Sequence, residues 1–586
     1  MRRILNALQH RAHTRKRKCF MNRNVNDLYD LWVKEVKDAE LEAELKQIAG
    51  DDEAINDAFY RDLSFGTAGL RGVIGAGTYR MNIYTVAQAA QGQANYYNKL
   101  KASDDYVNTV AIAYDSRINS EVFAKVTAAV FAANGFKVHI YPELEPVPAL
   151  SFAIRELQTD TGVVITASHN PAKYNGFKAY GPDGAQVKTE VANGISAEVA
   201  QLDIFNDIVD YDFDKSVEAG DIVYIEDAVM DAYIEHVKGE SLIDENTEID
   251  KDVKIIYSPF NGTGLKPVTR ALKEMGYTNV SVVKEQEHPD GNFPTVPYPN
   301  PQIPESMALG IEYAKREDAD LFMATDPDAD RVGIAIKGSD GEFQLVSGNL
   351  VGTLLIDYIV HRKTEMGTMP DNPVMINTIV TTSLASKVAK SNGVKTIYVL
   401  TGFKYIGEQI GYLEAEGRED DYLIGFEESY GYLSGTYARD KDAVNAAVLI
   451  AEMFSYYKTR EISLLDKIED IYDRYGYTLD LMYTYTFEGQ VGAEKMKQIL
   501  KDIRKPVDSL AGLEVTEVID YALGVNDLPT ADVLQYNLGD NGYVIVRPSG
   551  TEPQVKIYVS LSADRDKAHD LAEELKRAVE AHGSFV

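Results

Sequence analysis

The sequence is poor in cysteine and in long apolar runs. Its 586 residues contain one cysteine, Cys19. A single thiol excludes an internal disulfide and favours a reducing, cytoplasmic environment. No uncharged apolar run approaches the ~18 residues that a membrane helix needs, so we expect no membrane-spanning segment.

Positive charge is also scarce. Lysine and arginine number 59 against 91 aspartates and glutamates, a formal net charge of −32. Broad nucleic-acid binding needs a basic surface and is therefore excluded. Residues 1–20 are the exception, with seven positive charges and no acid. We interpret them as a basic extension, disordered or preceding a true start at Met21, because no apolar core of a secretory signal follows.

Apolar runs that end in small polar loops and continue into helical stretches recur along the chain. Residues 162–165 lead into one such loop and residues 320–324 into another. Buried strands that alternate with helices are typical of mostly parallel sheets covered on both faces. Ligands meet such sheets at the loops after the carboxyl ends of strands, where these polar loops fall.

The chain is too long for one hydrophobic core, and its length suggests roughly three to five domains. The pattern predicts an α/β protein with three similar units of mostly parallel, mixed sheets and a smaller C-terminal α+β domain. The predicted division is the extension (1–20), a helix with α/β domain 1 (21–215), α/β domain 2 (216–335), α/β domain 3 (336–470) and domain 4 (471–586).

Thr166-Ala-Ser-His-Asn-Pro171 places a serine directly after an apolar strand. A serine at such a place is most often a turn or cap residue. A phosphoryl acceptor needs donors for the transferring oxygens and a nearby acid or base, which His169, Asn170 and Lys178 could supply. Ser168 is therefore a candidate nucleophile, with the turn residue as the alternative.

Asp326-Pro-Asp-Ala-Asp-Arg331 alternates three carboxylates, which a tight loop can fold around one ion. Acidic loops are usually just solvated. A calcium EF-hand loop fails on spacing, because its sixth and twelfth positions would be Arg331 and Lys337 in place of Gly and Glu. Oxygen ligands alone favour Mg²⁺ or Mn²⁺ over zinc. Arg331 could bind a phosphoryl oxygen with two hydrogen bonds.

Arg547-Pro-Ser-Gly-Thr-Glu-Pro553 lies between two apolar runs that predict a hairpin. The arginine offers a fork, Ser549 and Thr551 offer hydroxyls, and Gly550 lets backbone N–H groups approach an anion. The alternative is an ordinary hairpin turn. A serine, a divalent-cation site and a phosphate cradle together are the parts of a phosphoryl-transfer enzyme.

With Glu427-Glu-Ser-Tyr-Gly431, these three motifs resemble the α-D-phosphohexomutase superfamily in order and spacing. Gly66-Thr-Ala-Gly-Leu-Arg-Gly72 and Thr401-Gly-Phe-Lys-Tyr-Ile-Gly407 resemble its phosphoglucomutase branch, which includes phosphopentomutases. The resemblance runs from about residue 60 to the C-terminus. It implies four domains around one cleft, the fourth being mobile.

The resemblance implies a phosphoserine at Ser168 and Mg²⁺ held by Asp326, Asp328, Asp330 and an oxygen of that phosphate. The other roles that it implies are charge stabilisation by Arg71, His169 and Arg331, sugar contacts by Glu427 and Ser429, phosphate contacts by Arg547, Ser549, Gly550 and Thr551, and acid or base catalysis by Lys178 or Lys404. The expected reaction interconverts glucose 1-phosphate and glucose 6-phosphate through glucose 1,6-bisphosphate, which is also the activator. Sugar phosphates are the expected partners of a cytoplasmic monomer or dimer.

Other functions stay open. Phe426, where many relatives have glycine, and the Asp-Pro-Asp-Ala-Asp spacers allow a phosphopentomutase or phosphomannomutase by the same mechanism. A serine-dependent phosphatase would pass the phosphoryl group to water. A non-catalytic sugar-phosphate sensor is disfavoured because the serine, the three aspartates and both binding loops are intact. The Glu-Glu-Ser loop argues against acetylglucosamine-phosphate mutases.

Overall fold

The computed structural model describes residues 24–66, 69–101, 103, 106–487, 489–525, 528–548 and 554–585. The basic extension (1–20) and the predicted phosphate-binding residues Ser549, Gly550 and Thr551 lie outside the described residues. The described chain begins with α1 (Val25–Glu35), α2 (Ala39–Gln47) and α3 (Asp52–Phe59). Sequence analysis predicted one helix here. The chain forms three because Asp38 and Asp51 each accept two backbone N–H groups and begin a new helix.

The first sheet has strand order β1-β5-β4-β2-β3-β6. The strands β4, β2, β3 and β6 are parallel to one another, and β5 is antiparallel to both of its neighbours, β4 and the edge strand β1. Its elements are β1 (Gly69–Val73), α4 (Ile83–Asn98), β2 (Thr109–Tyr114), α5 (Ser120–Ala133), β3 (Lys137–Ile140), α6 (Val147–Glu156), β4 (Thr161–Ile165), β5 (Tyr174–Tyr180), α7 (Thr189–Val199), α8 (Phe213–Ala219) and β6 (Ile222–Tyr224). The strand β6 belongs to this sheet although it follows residue 215, the predicted end of the first unit.

The second sheet has strand order β11-β10-β9-β7-β8, and its members β9, β7 and β8 are parallel. Its elements are α9 (Asp227–Gly239), β7 (Ile255–Ser258), α10 (Leu265–Glu274), β8 (Val280–Val282), α11 (Lys284–Glu287), α12 (Pro304–Arg316), β9 (Leu321–Thr325), β10 (Val332–Lys337) and β11 (Phe343–Val346). Here β11 follows residue 335, the predicted end of the second unit. The domain boundaries stay predictions.

The third sheet has strand order β13-β12-β14-β15, with β15 antiparallel to β14. Its elements are α13 (Gly348–Met366), β12 (Val374–Thr378), α14 (Ser383–Ser391), β13 (Lys395–Val399), α15 (Phe403–Ala415), a 3₁₀ helix (Glu419–Asp421), β14 (Tyr422–Glu427), β15 (Gly431–Leu433), α16 (Ala443–Lys458) and α17 (Leu464–Tyr475). One cluster of buried apolar side chains runs through all three units.

The C-terminal unit has its own core under a fully antiparallel sheet of order β16-β22-β21-β20-β19. Its elements are β16 (Thr478–Thr486), α18 (Gly489–Asp502), β17 (Ser509–Leu510), β18 (Leu513–Glu514), β19 (Glu517–Asp520), 3₁₀ helices (Tyr521–Leu523, Gly539–Asn541), β20 (Leu534–Asn537), β21 (Gly542–Pro548), β22 (Gln554–Ser562) and α19 (Arg565–His582). The predicted fold class, three mixed α/β units followed by a smaller α+β domain, is confirmed.

The three α/β units share one structural device. In each, a fully buried parallel strand turns back into an antiparallel neighbour: β4 into β5, β9 into β10 and β14 into β15. Each connecting turn contains a non-glycine residue with left-handed backbone: Ser168 at φ 52°, Ala329 at φ 46° and Tyr430 at φ 67°. We call these the serine hairpin (166–174), the metal hairpin (326–331) and the sugar hairpin (427–431).

Candidate active site

The serine hairpin places Ser168 against the metal hairpin. Its side chain is 3% exposed, and its Oγ donates to Asp326 Oδ2 at 2.9 Å. The same Oγ lies 3.1 Å from His169 Nδ1. The Ser168 N–H donates to Thr166 Oγ1 at 2.8 Å, and that hydroxyl donates to Asp328 Oδ2 at 3.1 Å. The candidate nucleophile is thus joined to two of the three aspartates.

The metal hairpin gathers Asp326, Asp328 and Asp330 into one buried group. One oxygen from each carboxylate lies within 4.8 Å of the others. Asp326 Oδ1 accepts from the backbone N–H groups of Asp330 and Arg331, at 3.1 and 3.0 Å, which closes the turn. The Oδ1 atoms of Asp328 and Asp330 are buried and have no hydrogen-bond partner among the described residues.

The electrostatics of this group fit a divalent cation. Burial, together with repulsion between the carboxylates, raises the pKa of Asp326 well above its ordinary value and also raises the pKa of Asp330. Burial acts on Asp328 in the same direction, but the charge and hydrogen bond of Lys178, together with Asp326 and Lys441, outweigh it and lower the pKa of that carboxyl. Carboxylates whose pKa is raised by burial and mutual repulsion lack a compensating positive charge. The two unpartnered oxygens are suitable ligands for Mg²⁺.

Two lysines from different units hold the aspartates. Lys178, on β5, donates to Asp328 Oδ2 at 2.9 Å and lies 3.9 Å from Asp330 Oδ2. Lys441 lies 2.9 Å from Asp330 Oδ2 and donates to Asp440 Oδ1 at 3.1 Å. For both Asp328 and Asp330, a lysine therefore occupies one oxygen and the other remains available.

Sequence analysis missed Lys441. The signal was present in Arg439-Asp-Lys-Asp442, a run of four charged residues that the structure buries. Buried charges are paired or bind ligands. The lysine also explains the last residue of the Glu-Glu-Ser-Tyr-Gly motif, because a Cβ on Gly431 would lie 2.1 Å from Lys441 Cδ.

Two predicted residues flank the serine hairpin. Arg71, on β1, donates from Nη1 to Asn170 Oδ1 at 3.0 Å. The pKa of His169 lies well below its ordinary value because burial and the nearby Arg331 and Arg71 disfavour its charged form. Arg331 lies beside the triad, its Nε 3.6 Å from Asp330 Oδ1. His169 lies on the serine hairpin and Arg331 on the metal hairpin, while Arg71 reaches the serine hairpin from β1.

The sugar hairpin carries Glu427 and Ser429 from the third unit. Glu427 is 8% exposed, and its Oε1 accepts from the Gly402 N–H at 2.9 Å, which ties the hairpin to the start of α15. The Tyr430 carbonyl accepts from the Val332 N–H at 3.0 Å and so joins this hairpin to the metal unit. Phe426 is accommodated because Gly352 faces it, where a Cβ would lie 2.2 Å from the ring.

Lys404 and Arg547 lie on the third and fourth units. Lys404 is the second residue of α15; its ammonium lies 5.3 Å from the centroid of the Tyr405 ring, and burial lowers its pKa. Arg547 lies near the end of β21. Its charge acts to lower the pKa of Glu428, against the larger raising effects of burial and of Glu427. The hairpin predicted around Arg547 is confirmed by the pairing of β21 with β22. The roles of all these side chains stay predictions.

Family comparisons agree with this architecture. Models of the phosphoglucomutase/phosphomannomutase family match four successive parts of the chain: α/β/α domain I over residues 62–204, domain II over 231–340, domain III over 347–475 and the C-terminal domain over 496–578. Three α/β units and a C-terminal domain in this order define an α-D-phosphohexomutase, as predicted. The chain belongs to the phosphoglucomutase/phosphomannomutase family.

Relatives in that family are similar along most of the chain. A protein of Staphylococcus saprophyticus named phosphoglucomutase is 38% identical over 528 residues, covering 88% of this chain and 93% of the relative. One from Staphylococcus aureus strain N315 is 34% identical over 546 residues, covering 91% and 95%. The open form of parafusin, a phosphoglucomutase from Paramecium, shares the fold at a TM-score of 0.66 and 18% identity, covering 90% and 95%. In the described part of this chain, no helix is long and apolar enough to cross a membrane.

Proposed function

We propose that the protein is a phosphoglucomutase that interconverts glucose 1-phosphate and glucose 6-phosphate. The observation that carries the proposal is the 2.9 Å hydrogen bond from Ser168 Oγ to Asp326 Oδ2, which puts a candidate nucleophile in contact with a candidate cation site. Relatives named phosphoglucomutase, at 34% and 38% identity over most of the chain, support the choice of sugar.

Ser168 carries the phosphoryl group in the resting enzyme. In the first transfer the P–Oγ bond breaks while the 6-hydroxyl oxygen of glucose 1-phosphate bonds to phosphorus. The hydroxyl proton passes to a basic side chain, Lys178 or Lys404, and the leaving Ser168 Oγ takes up a proton. The product, glucose 1,6-bisphosphate, turns over in the site. Ser168 Oγ then gives up its proton and accepts the 1-phosphoryl group as the P–O1 bond breaks, the sugar O1 regains a proton, and glucose 6-phosphate leaves.

Residues of all four units take part in this scheme. Asp326, Asp328 and Asp330 hold Mg²⁺, which when bound neutralises charge on the phosphoryl oxygens. The other contacts are those of Arg71, His169 and Arg331 around the transferring group, of Glu427 and Ser429 on the sugar, and of Arg547, Ser549, Gly550 and Thr551 on the phosphate that is not reacting. Sugar contacts that accept both orientations let one site serve both half-reactions.

The decisive experiment measures kcat/KM for glucose 1-phosphate, mannose 1-phosphate and ribose 1-phosphate with Mg²⁺ and a trace of glucose 1,6-bisphosphate, while free phosphate is followed. We expect preference for glucose 1-phosphate without phosphate release. Preference for mannose 1-phosphate or ribose 1-phosphate would indicate a phosphomannomutase or phosphopentomutase, and stoichiometric phosphate release a phosphatase.

Ser168→Ala tests the nucleophile. Loss of the group that forms the covalent intermediate should lower kcat by ~10⁴-fold or more. Ser339→Ala, at an exposed turn of the second unit, is the matched control and should keep full activity. Near-normal turnover by Ser168→Ala would refute the phosphoserine mechanism. We also infer a cytoplasmic location from the single cysteine, which cell fractionation would check.

A further inference from the structure

Arg117 is a buried arginine that the proposed reaction does not use. It follows β2 in the loop that begins α5, and neither its side chain nor that of Asp115 is exposed to solvent. Its Nε lies 3.4 Å from Asp115 Oδ2. Asp115 Oδ1 accepts from the Arg117 N–H at 2.9 Å and from Ser120 Oγ at 2.7 Å, which fixes the loop locally. A buried ion pair of this kind needs further hydrogen bonds on its remaining donors.

Those donors are all directed at the serine hairpin. Nη1 of Arg117 donates to the carbonyls of Pro171 and Tyr174, at 3.0 and 3.1 Å. Its Nη2 donates to the Ser168 carbonyl at 2.6 Å and also to the Asn170 carbonyl. One planar guanidinium thus binds four backbone oxygens spread over the turn, a geometry that lysine cannot reproduce.

The conformation that these bonds hold is a costly one. Ser168 has left-handed backbone at φ 52°, a conformation that disfavours L-residues other than glycine. Such a residue persists where its surroundings over-determine it. We propose that Arg117 is a positioning residue that holds the serine hairpin in the conformation that aims Ser168 Oγ at the metal site.

The second unit closes over the other side of Arg117. The guanidinium carbon lies 5.0 Å from the centroid of the Phe293 ring, and Phe293 is 1% exposed. A Cβ on Gly291 would lie 2.4 Å from the Ile118 N and 2.8 Å from the Arg117 carbonyl carbon, so the two loops touch through their backbones. Arg117 is therefore held between the serine hairpin and the unit that carries the aspartates.

This role predicts a particular kinetic effect. All the hydrogen bonds from the Arg117 side chain go to backbone carbonyls, so its loss should displace the serine and leave the sugar and phosphate contacts in place. A misplacement of about 1 Å can slow a reaction by ~10²-fold. Phosphoryl transfer should slow while KM changes little. The inference rests on the proposed function, because it assumes that Ser168 is the residue phosphorylated.

The test uses the full-length enzyme, first dephosphorylated and then mixed with glucose 1,6-bisphosphate. Phosphate on Ser168 is followed over time by mass spectrometry, and steady-state kcat and KM are measured in parallel. For Arg117→Met we expect ~100-fold slower loading of Ser168 and a similar loss in kcat, with KM within about threefold. Arg117→Lys keeps a cation beside Asp115 but lacks the planar guanidinium with its several donors. We expect phosphorylation of Ser168 to be ~10-fold slower in this variant.

Arg362→Met is the matched control. Arg362 is also buried, with 5% of its side chain exposed. Its Nε donates to the Leu242 carbonyl at 3.0 Å, and its hydrogen bonds go to neither the serine hairpin nor the metal hairpin. It should lower the melting temperature without slowing the loading of Ser168. Equal slowing by Arg362→Met would show that general destabilisation is the cause and would overturn the positioning role.

Two further outcomes separate the hypotheses. Normal loading in folded Arg117→Met, or in Arg117→Lys if the methionine variant does not fold, overturns the positioning role and leaves the mutase intact. Absence of phosphate on Ser168 in the wild-type enzyme after exposure to the bisphosphate overturns the phosphoserine mechanism itself.

Discussion

The serine hairpin and the metal hairpin occupy the same place in their sheets but are fixed in opposite ways. The metal hairpin is closed from within, since Asp326 Oδ1 accepts from two N–H groups of its own turn. The serine hairpin is held from outside, by the side chain of Arg117 on a neighbouring loop. A ligand loop must aim several carboxylates at one point, and internal bonds achieve this. The serine hairpin has an internal bond of this kind, from the Ser168 N–H to Thr166 Oγ1, but Arg117 binds four of its carbonyls.

Among the tests of this comparison, the largest effect is expected where the metal hairpin loses a charge. Asp328→Asn preserves shape but removes a cation ligand and the partner of Lys178, so kcat should fall by ~10²- to 10³-fold. The Mg²⁺ concentration for half-maximal activity should also rise. Titrations of activity with Mg²⁺ measure both quantities.

Asp318→Asn is the control for this change, because Asp318 pairs with Lys337 at the outer end of the same sheet. It should behave as the wild-type enzyme. An unchanged Mg²⁺ dependence in Asp328→Asn would remove Asp328 from the cation site.

A smaller effect is expected at the sugar hairpin. Its Gly431 packs against the stem of Lys441, and the ammonium of that lysine contacts Asp330 on the metal hairpin. In Gly431→Ala the new methyl group would collide with the stem of Lys441 and displace its ammonium from Asp330. We expect kcat/KM to fall by ~10-fold, consistent with a modest shift of a positioned group. Gly411→Ala, in α15 with no atom within 4 Å of the added Cβ, is the control. Wild-type kcat/KM in Gly431→Ala would mean that the third unit does not orient Asp330.

The smallest effect concerns stability at the sugar hairpin. Burial, followed by the charge of Glu427, raises the pKa of Glu428 to about 7, against ~4.3 in an unfolded chain. A raised carboxyl pKa contributes stability that is present in full below pH ~4.3 and is lost as the pH rises through about 7. The contribution is about 1 to 2 kcal/mol once partial exposure to solvent is considered.

Urea unfolding of the wild type and Glu428→Gln at pH 5 and pH 8 measures this contribution. The wild type should lose stability relative to the variant on going to pH 8. Glu312 is an exposed glutamate of the second unit, and Glu312→Gln should show the same change in unfolding free energy between pH 5 and pH 8 as the wild type. Parallel pH profiles for wild type and Glu428→Gln would contradict the assignment.

Local patterns predicted the parts of the site that lie within one hairpin. The Asp326 turn was visible because a buried strand ends in alternating carboxylates, and the hairpin around Arg547 because two apolar runs flank it. Lys441 and Arg117 were not predicted because their partners are distant in the chain; for Lys441 the only local signal was the charged run 439–442, which does not name those partners. Of the N-terminal helices only the first was predicted; α2 and α3 begin where Asp38 and Asp51 cap new helices, a role that the apolar periodicity does not reveal.

The contact between Ser168 and Asp326 spans 158 residues of sequence. During synthesis the serine leaves the ribosome long before the aspartate that receives its hydrogen bond, and also before the Phe293 loop that covers Arg117. The first unit is therefore made with the candidate nucleophile but without the candidate cation site. On the proposed mechanism, we expect Ser168 to become competent for phosphoryl transfer only after the second unit has docked against the first.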